Sequence, residues 1–190
     1  MYLISVWVLL IGCVEEPVKE DVPEMITKVK LIFTPTAGAS IEVVASDPDG
    51  EGIQDIKTDI PIVLTRGQSY ILSITLLNEL ADSTSPEYDI TDEVNAEGAE
   101  HMFFFEWSEG MFSTPVGNGN TDNRSDEVNY LDQDSSGLPV GLNTSWTVGS
   151  IQSMGNFRIL LKHQPKLKSA TSGASAGETD LEVKFNLMIQ

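Results

Sequence analysis

Cysteine is almost absent from this 190-residue sequence, in which Cys13 is the only one. A lone cysteine excludes a disulfide within the chain and a paired-cysteine metal site. Histidine is nearly as scarce, with only His101 and His163. Neither histidine has a local nucleophile motif, and the sequence contains no HExxH motif and no P-loop. The residues therefore predict a protein that is not an enzyme, and no catalytic residue is assigned.

Positive charge is also scarce. The sequence has 11 Lys and Arg residues against 29 Asp and Glu residues, which gives a formal net charge of −18. A surface of this sign repels nucleic acid and anionic lipid headgroups. The charge therefore excludes nucleic acid as a partner and favours cations or basic partners, unless it serves solubility alone.

No apolar run is long enough to span a bilayer as a helix, which takes roughly 20 residues. The longest run lies between Tyr2 and Ile11 and ends at Gly12-Cys13. Residues 1–12 fit a secretion signal, although they carry no Lys or Arg. The alternative is a buried strand with a chance cysteine. We favour a lipoprotein signal peptide over 1–12, because an acidic, proline-containing tether (13–24) follows at once and leads to one domain over 25–190.

Regular alternation of apolar and polar residues dominates the sequence after Met25. It indicates strands at eight places: Val29–Phe33, Ile41–Ala45, Ile62–Leu64, Tyr70–Leu77, His101–Trp107, Trp146–Val148, Phe157–Leu161 and Leu181–Ile189. The fold class predicted is all-β, an antiparallel Ig-like β-sandwich of about eight strands. One short helix is expected near 90–98, with Thr91 as its N-cap. Residues 108–126 and 164–177 read as long loops.

Several segments carry a likeness to known proteins. They are LTRGQSYILSITLLNELADS (64–83), DITDEV (89–94), EHMFFF (100–105), GLPVGLNTSWTVG (137–149), ILLKHQP (159–165) and GETDLEVKFNLMIQ (177–190). Through them the chain resembles small lipoproteins of flavobacteria and other Bacteroidota that are often labelled type 1 periplasmic-binding-fold proteins. That label implies two α/β lobes, for which the chain has neither the helices nor the length, so we retain the β-sandwich.

The same resemblance implies an outer-membrane uptake context with a TonB-dependent receptor as partner. Gly12-Cys13 resembles the lipobox, in which the cysteine is lipidated and anchors the protein in the membrane. Cys13-Val14-Glu15-Glu16 resembles the acidic export signal of Bacteroidota surface lipoproteins. We therefore expect an outer-membrane protein anchored through Cys13, on the cell surface rather than the periplasmic face.

Two loops resemble the first half of a calcium-binding loop. In the first loop, acids stand two residues apart before a glycine, at Asp47, Asp49 and Glu51, so their carboxylates can converge on one cation. The second loop repeats this spacing with Asp132, Asp134 and Ser136. The bidentate acid expected at position 12 is missing, because Thr58 and Asn143 stand there. Calcium at one or both loops is one prediction, and plain Asp/Gly turns are the alternative.

The histidines are the candidates for a transition metal. By strand parity each lies at the end of a core-facing row, and imidazole with carboxylate suits Zn or Cu. We expect His101, His163 and Glu100 to bind the ion, with Glu79, Asp82, Glu178 or Asp180 completing the site. If the strands that carry the two histidines pair antiparallel in the simplest register, we expect His101 and His163 to lie at opposite ends of that pair. The two would then meet only if the strands were parallel or arranged in another way that brings those ends together. The alternative is two hydrogen-bonded histidines at the rim.

Two apolar residues, Met111 and Phe112, interrupt a polar loop. They predict either a contact site for a partner or a segment folded back onto the domain. Taken together, the sequence predicts a non-catalytic accessory module that binds a ligand or metal for uptake. The alternative is a structural or adhesive surface module stabilised by calcium.

Overall fold

The computed structural model describes residues 24–50 and 56–190. The leader, Cys13, most of the tether and Glu51 lie outside these residues. Ten strands and one α-helix are present in the described part. In chain order they are β1 (Lys28–Pro35), β2 (Ile41–Ser46), β3 (Lys57–Thr58), β4 (Ile62–Leu64), β5 (Ser69–Leu77), α1 (Ile90–Ala96), β6 (His101–Trp107), β7 (Phe112–Thr114), β8 (Asn143–Val148), β9 (Ser153–His163) and β10 (Glu178–Ile189).

The strands form two sheets. One has six strands in the order β3-β2-β1-β5-β8-β7, and the other has four in the order β4-β10-β9-β6. Every pairing between these strands is antiparallel except that of β4 with β10, which is parallel. The all-β sandwich predicted from the sequence is confirmed, with one departure from purely antiparallel pairing.

Alternation explains why these segments are strands. In β1 and β5 every second side chain is buried between the sheets, and its neighbours face outward. The core is rich in aromatic rings around Phe157, which contacts Phe33, Phe105 and Trp146 with centroids 5.2–6.2 Å apart. Apolar burial of this kind is the main force holding two sheets together.

The helix forms where the sequence predicts it but is capped differently. Asp89 is the N-cap, and its carboxylate accepts hydrogen bonds from the N–H groups of Thr91 and Asp92. The assignment of Thr91 as N-cap was wrong. Its hydroxyl instead donates to the carbonyl of Leu76 and accepts from the Leu76 N–H, which ties α1 to β5.

Strand β6 lies at the edge of the four-stranded sheet, and loop residues cover that edge. The Trp107 N–H donates to the Asn118 carbonyl, and the Phe105 N–H donates to the Asn120 side chain. Gly119 makes this approach possible, because a Cβ there would lie 2.0 Å from the Phe105 carbonyl oxygen. Within the described ranges, no helix has the length and apolar character that crossing a bilayer requires.

Candidate metal centre

The two histidines lie directly opposite each other. Strands β6 and β9 pair antiparallel with His101 opposite His163 and Trp107 opposite Phe157. The rings are stacked, with centroids 4.6 Å apart and planes 8° from parallel. The expectation that antiparallel strands would separate the histidines was wrong. Antiparallel pairing brings the start of one strand beside the end of the next, and these histidines occupy those two ends.

Stacking prevents the two rings from sharing one ion. The lone pair of a ring nitrogen lies in the ring plane, so a bound metal ion lies near that plane. Because the two rings are nearly parallel and displaced from each other, an ion in the plane of one lies out of the plane of the other. The structure thus brings His101 and His163 together but gives each its own surroundings.

His101 is fully buried and oriented by the backbone. Its Nδ1 lies 3.2 Å from the carbonyl oxygen of Glu97, just after helix α1. A carbonyl can only accept, so Nδ1 carries a proton and donates. In the neutral ring this leaves Nε2 as the nitrogen with a lone pair, the usual arrangement of a metal-binding histidine.

The carboxylate of Asp180 lies near that nitrogen. Its Oδ2 lies 3.6 Å from His101 Nε2, and both side chains are inaccessible to solvent. This separation is too long for a hydrogen bond. It is close to the distance of about 3.3–3.4 Å between two ligand atoms of one tetrahedral zinc ion.

A β-bulge places Asp180 in the core. Thr179 pairs with Lys162 and Leu181 pairs with Leu161, so Asp180 is an extra residue in β10. Asp180 and Leu181 are both buried, which breaks the alternation of the strand. Strict alternation would have put Asp180 on the outer face with Glu182. Bulges commonly redirect a side chain in this way beside functional sites.

Burial also changes the acidity of this carboxyl group. Removal from water raises the pKa of Asp180 to about 7, and the nearby charge of Glu24 contributes in the same direction. The His163 ring, the Glu24 backbone and Lys162 act in the opposite direction. Near neutral pH this group is therefore readily converted to a carboxylate by an arriving cation.

Two further carboxylates converge on His101. One oxygen each from Glu24 and Glu97 lies within 4.8 Å of a ring nitrogen of His101 and of the other carboxylate. Both residues are partly exposed. Imidazole with carboxylate oxygens suits Zn and Cu. Glu24 and Glu97 were not among the predicted metal ligands, because neither shares a strand with His101.

His163 lies beside a different acid. Its Nε2 is 3.5 Å from Glu100 Oε2, and the Glu100 side chain is 42% exposed. The predicted group of His101, His163 and Glu100 is therefore divided between two adjoining environments. Of the acids expected to complete the site, Glu79 pairs with Lys28 and Asp82 bonds Thr84 in its own turn. Glu178 lies opposite His163 in the β9–β10 pair, and Asp180 lies beside His101.

The first predicted calcium loop keeps its acids in a turn. Asp47 is buried, and its Oδ1 accepts from the N–H groups of Asp49 and Gly50. Asp47 and Asp49 line a surface cavity together with Lys57, whose ammonium group competes with a cation. Glu51 lies outside the described residues, and calcium at this loop stays a prediction.

The second predicted calcium loop uses its acids as structural acceptors. Asp132 accepts from the N–H groups of Gly141 and Asn143. Asp134 accepts from the Ser136 N–H and forms an ion pair with Lys168, 2.9 Å away, in which both side chains are buried. These two carboxylates therefore serve different partners and do not converge on a common point.

Met111 and Phe112 fold back onto the domain. They are 2% and 4% exposed, and the Phe112 ring lies 4.8 Å from that of Trp146. The prediction that they form a contact site for a partner was wrong. Phe112 begins β7, whose pairing with β8 turns its ring into the core.

The loop between β9 and β10 contains a further sequence motif. Residues 173–177 read GASAG and match the GxSxG pattern. The nucleophile elbow of that pattern needs a strand before the serine and a helix after it. Ser175 lies in the loop between β9 and β10, so the required context is missing. Gly177 serves the turn instead, with φ of +73° and no room for a Cβ beside the His163 carbonyl.

Comparisons with known proteins give no relative for this chain. No family model, no curated protein and no solved structure matches it.

Proposed function

We propose that this chain is a non-catalytic, lipid-anchored binding module that captures one divalent transition-metal ion, Zn or Cu, at His101 and Asp180. The observation that carries the proposal is the separation of 3.6 Å between His101 Nε2 and Asp180 Oδ2 inside the core. At this distance the two groups make no hydrogen bond to each other, and an imidazole nitrogen and a carboxylate oxygen placed in this way match two ligands of one ion.

Neighbouring carboxylates and the net charge of the chain support a metal site at His101 and Asp180. The carboxylates of Glu24 and Glu97 lie within 4.8 Å of a ring nitrogen of His101, and the net charge of −18 draws cations to the surface. Loading would displace the proton that burial holds on Asp180. In the wider proposal, Cys13 anchors the module in the outer membrane and the ion passes to a TonB-dependent receptor. That step rests on the sequence resemblance.

The experiment is thermal melting of the metal-stripped domain, from Val14 onward, with Zn²⁺, Cu²⁺, Ni²⁺ and Ca²⁺ added singly. A ligand that binds only the folded state raises the melting temperature. We expect Zn²⁺ or Cu²⁺ to raise it and Asp180→Asn to abolish the rise. Glu42→Gln, at an exposed acid of β2 in the other sheet, is the control and should keep it.

Two results would redirect the proposal. A rise with Ca²⁺ alone would favour the alternative function, a structural or adhesive module stabilised at the loop of Asp47 and Asp49. No rise with any ion would remove both metal-binding proposals and leave a module that acts through other contacts.

A further inference from the structure

A second candidate site lies on the outer face of the six-stranded sheet, where β1, β5 and β8 run side by side. A cavity of about 350 Å³ opens there. Its floor is a cross-strand row in which Thr34 lies opposite Ile71 and Ile71 lies opposite Ser145. This volume falls within the range of small-molecule sites.

The described residues that line this cavity carry no charge. None of these eleven is Asp, Glu, Lys or Arg, although such residues make up 21% of the sequence. A chain with a net charge of −18 has thus kept one concave surface neutral. The cavity offers an ion no paired charge, and the net charge of −18 repels anions. A ligand for this cavity is therefore neutral.

Hydroxyl and amide groups dominate the same lining. Seven such side chains are Thr34, Thr36, Ser69, Thr114, Asn129, Ser145 and Thr147, and Tyr70, whose hydroxyl accepts from the Thr65 N–H, is an eighth. Each hydroxyl can donate and accept, so the set matches a ligand that does both. Beside them, the Ile71 side chain is 47% exposed and Pro35 adds a second apolar surface. Mixed hydroxyl and apolar surface suits a sugar ring, which has polar edges and C–H faces.

An extended peptide is the competing ligand, and the strand pairing disfavours it. Peptides commonly bind by adding a strand to an open sheet edge. The outer edge of β8 is already paired, by β7 at Thr147 and Val148 and by the Asn129 carbonyl, which accepts from the Ser145 N–H. The cavity offers side chains on a sheet face rather than a free edge.

We propose that this cavity binds a neutral saccharide, independently of the metal centre. The Ser69 and Thr147 hydroxyls, 2.9 Å apart, form one end of the site, and Ile71 supports the face of the sugar ring.

The test is isothermal titration calorimetry of the full-length chain with four neutral hexasaccharides: maltohexaose, cellohexaose, xylohexaose and mannohexaose. We expect at least one to bind with a millimolar or tighter dissociation constant and to slow amide hydrogen exchange in residues 69–73 and 143–147. Ile71→Glu should weaken binding by about tenfold or more. Ile151→Glu, which changes another exposed isoleucine outside the cavity, should leave it unchanged.

Ser145→Val removes one hydroxyl with little change in shape and should also weaken binding, whereas Asp180→Asn should have no effect. Any of three results would overturn the proposal. They are no binding of any neutral hexasaccharide, binding that Ile71→Glu leaves intact, and equal or tighter binding of hexagalacturonate or of a neutral hexapeptide.

Discussion

His101 and His163 stack across the β6–β9 pair, with their ring centroids 4.6 Å apart. In this stack His101 Nε2 lies beside Asp180 and His163 Nε2 lies beside Glu100, although the His163 ring also lowers the pKa of Asp180. The proposed metal centre follows from this arrangement. It uses one imidazole, and His163 packs against that imidazole as a neighbour.

The raised pKa of Asp180 predicts a dependence of stability on pH. The pKa is about 7 in the folded chain and 3.8 ordinarily, so between these values the unfolded chain loses this proton and the folded chain keeps it. The unfolding free energy contributed by this residue therefore falls as pH rises from about 4 to 7 and then levels off.

Asp180→Asn removes that dependence. We compare the unfolding free energy of the variant with that of the wild type, both in EDTA and both measured by urea unfolding. The difference should shift in favour of the variant by about 3 kcal/mol between about pH 4 and pH 8. Glu178→Gln, which changes an exposed acid, should show no such gain. An equal effect of Asp180→Asn at both pH values would contradict the assignment of a buried, protonated carboxyl.

Removal of one partner from the buried ion pair of Asp134 and Lys168 should destabilise the fold strongly. Although burial opposes ionisation of Asp134, the Leu138 N–H and the Lys168 ammonium hold its pKa below the ordinary value. Lys168 also donates to the Gly98 carbonyl, which joins the loop after β9 to the end of α1. Lys168→Met leaves a buried charge and should lower the unfolding free energy by about 3–5 kcal/mol.

For that variant the control is Lys184→Met at an exposed position, which should change stability little. The double variant Asp134→Leu/Lys168→Met should recover part of the loss, because it leaves no unpaired charge. A double variant less stable than Lys168→Met would argue against the ion pair as the cause.

Phe112 should behave as a core residue. Its ring contacts those of Trp107, Trp146 and Phe157. Phe112→Ala removes these contacts and should lower the unfolding free energy by about 3 kcal/mol, as measured by chemical denaturation. Val116→Ala, at a site 62% exposed a few residues away, is the control. A negligible effect of Phe112→Ala would restore the hypothesis of a partner contact.

The sequence predicts the strands better than it predicts the site. The eight strands identified by alternation all form, because burial of one face dictates a period of two. Strands β3 and β7, of two and three residues, carry too short a pattern and form through pairing with β2 and β8. Parity also predicts correctly that His101 and His163 face the core.

The rest of the site depends on long-range geometry. Asp180 enters the core through a bulge, which shifts it against the alternation on either side. Glu24 reaches His101 from the segment before β1, so no spacing in the sequence relates the two. Glu97 lies only four residues before His101, at the C-cap of α1, but the turn between them brings its carboxylate close. The stacking of the two rings likewise follows from the register of β6 with β9.

Lipidation of Cys13 is a prediction from sequence alone. Cys13→Ser should move the protein from the membrane fraction to the soluble fraction of expressing cells, because the acyl chains supply the anchor. Mass spectrometry of the wild type should find an acylated chain that begins at Cys13. Ser5→Ala in the same leader should leave both results unchanged. Membrane association of Cys13→Ser equal to the wild type would contradict the anchor.

The most direct test of the metal centre is X-ray absorption spectroscopy at the zinc edge on the domain loaded with one equivalent of Zn²⁺. Our account predicts retained zinc with a single imidazole ligand and oxygen ligands at about 2.0–2.2 Å. Asp180→Asn should change that spectrum, and His163→Ala should preserve the single imidazole. A spectrum with two imidazole ligands, or a domain that retains no zinc, would contradict it.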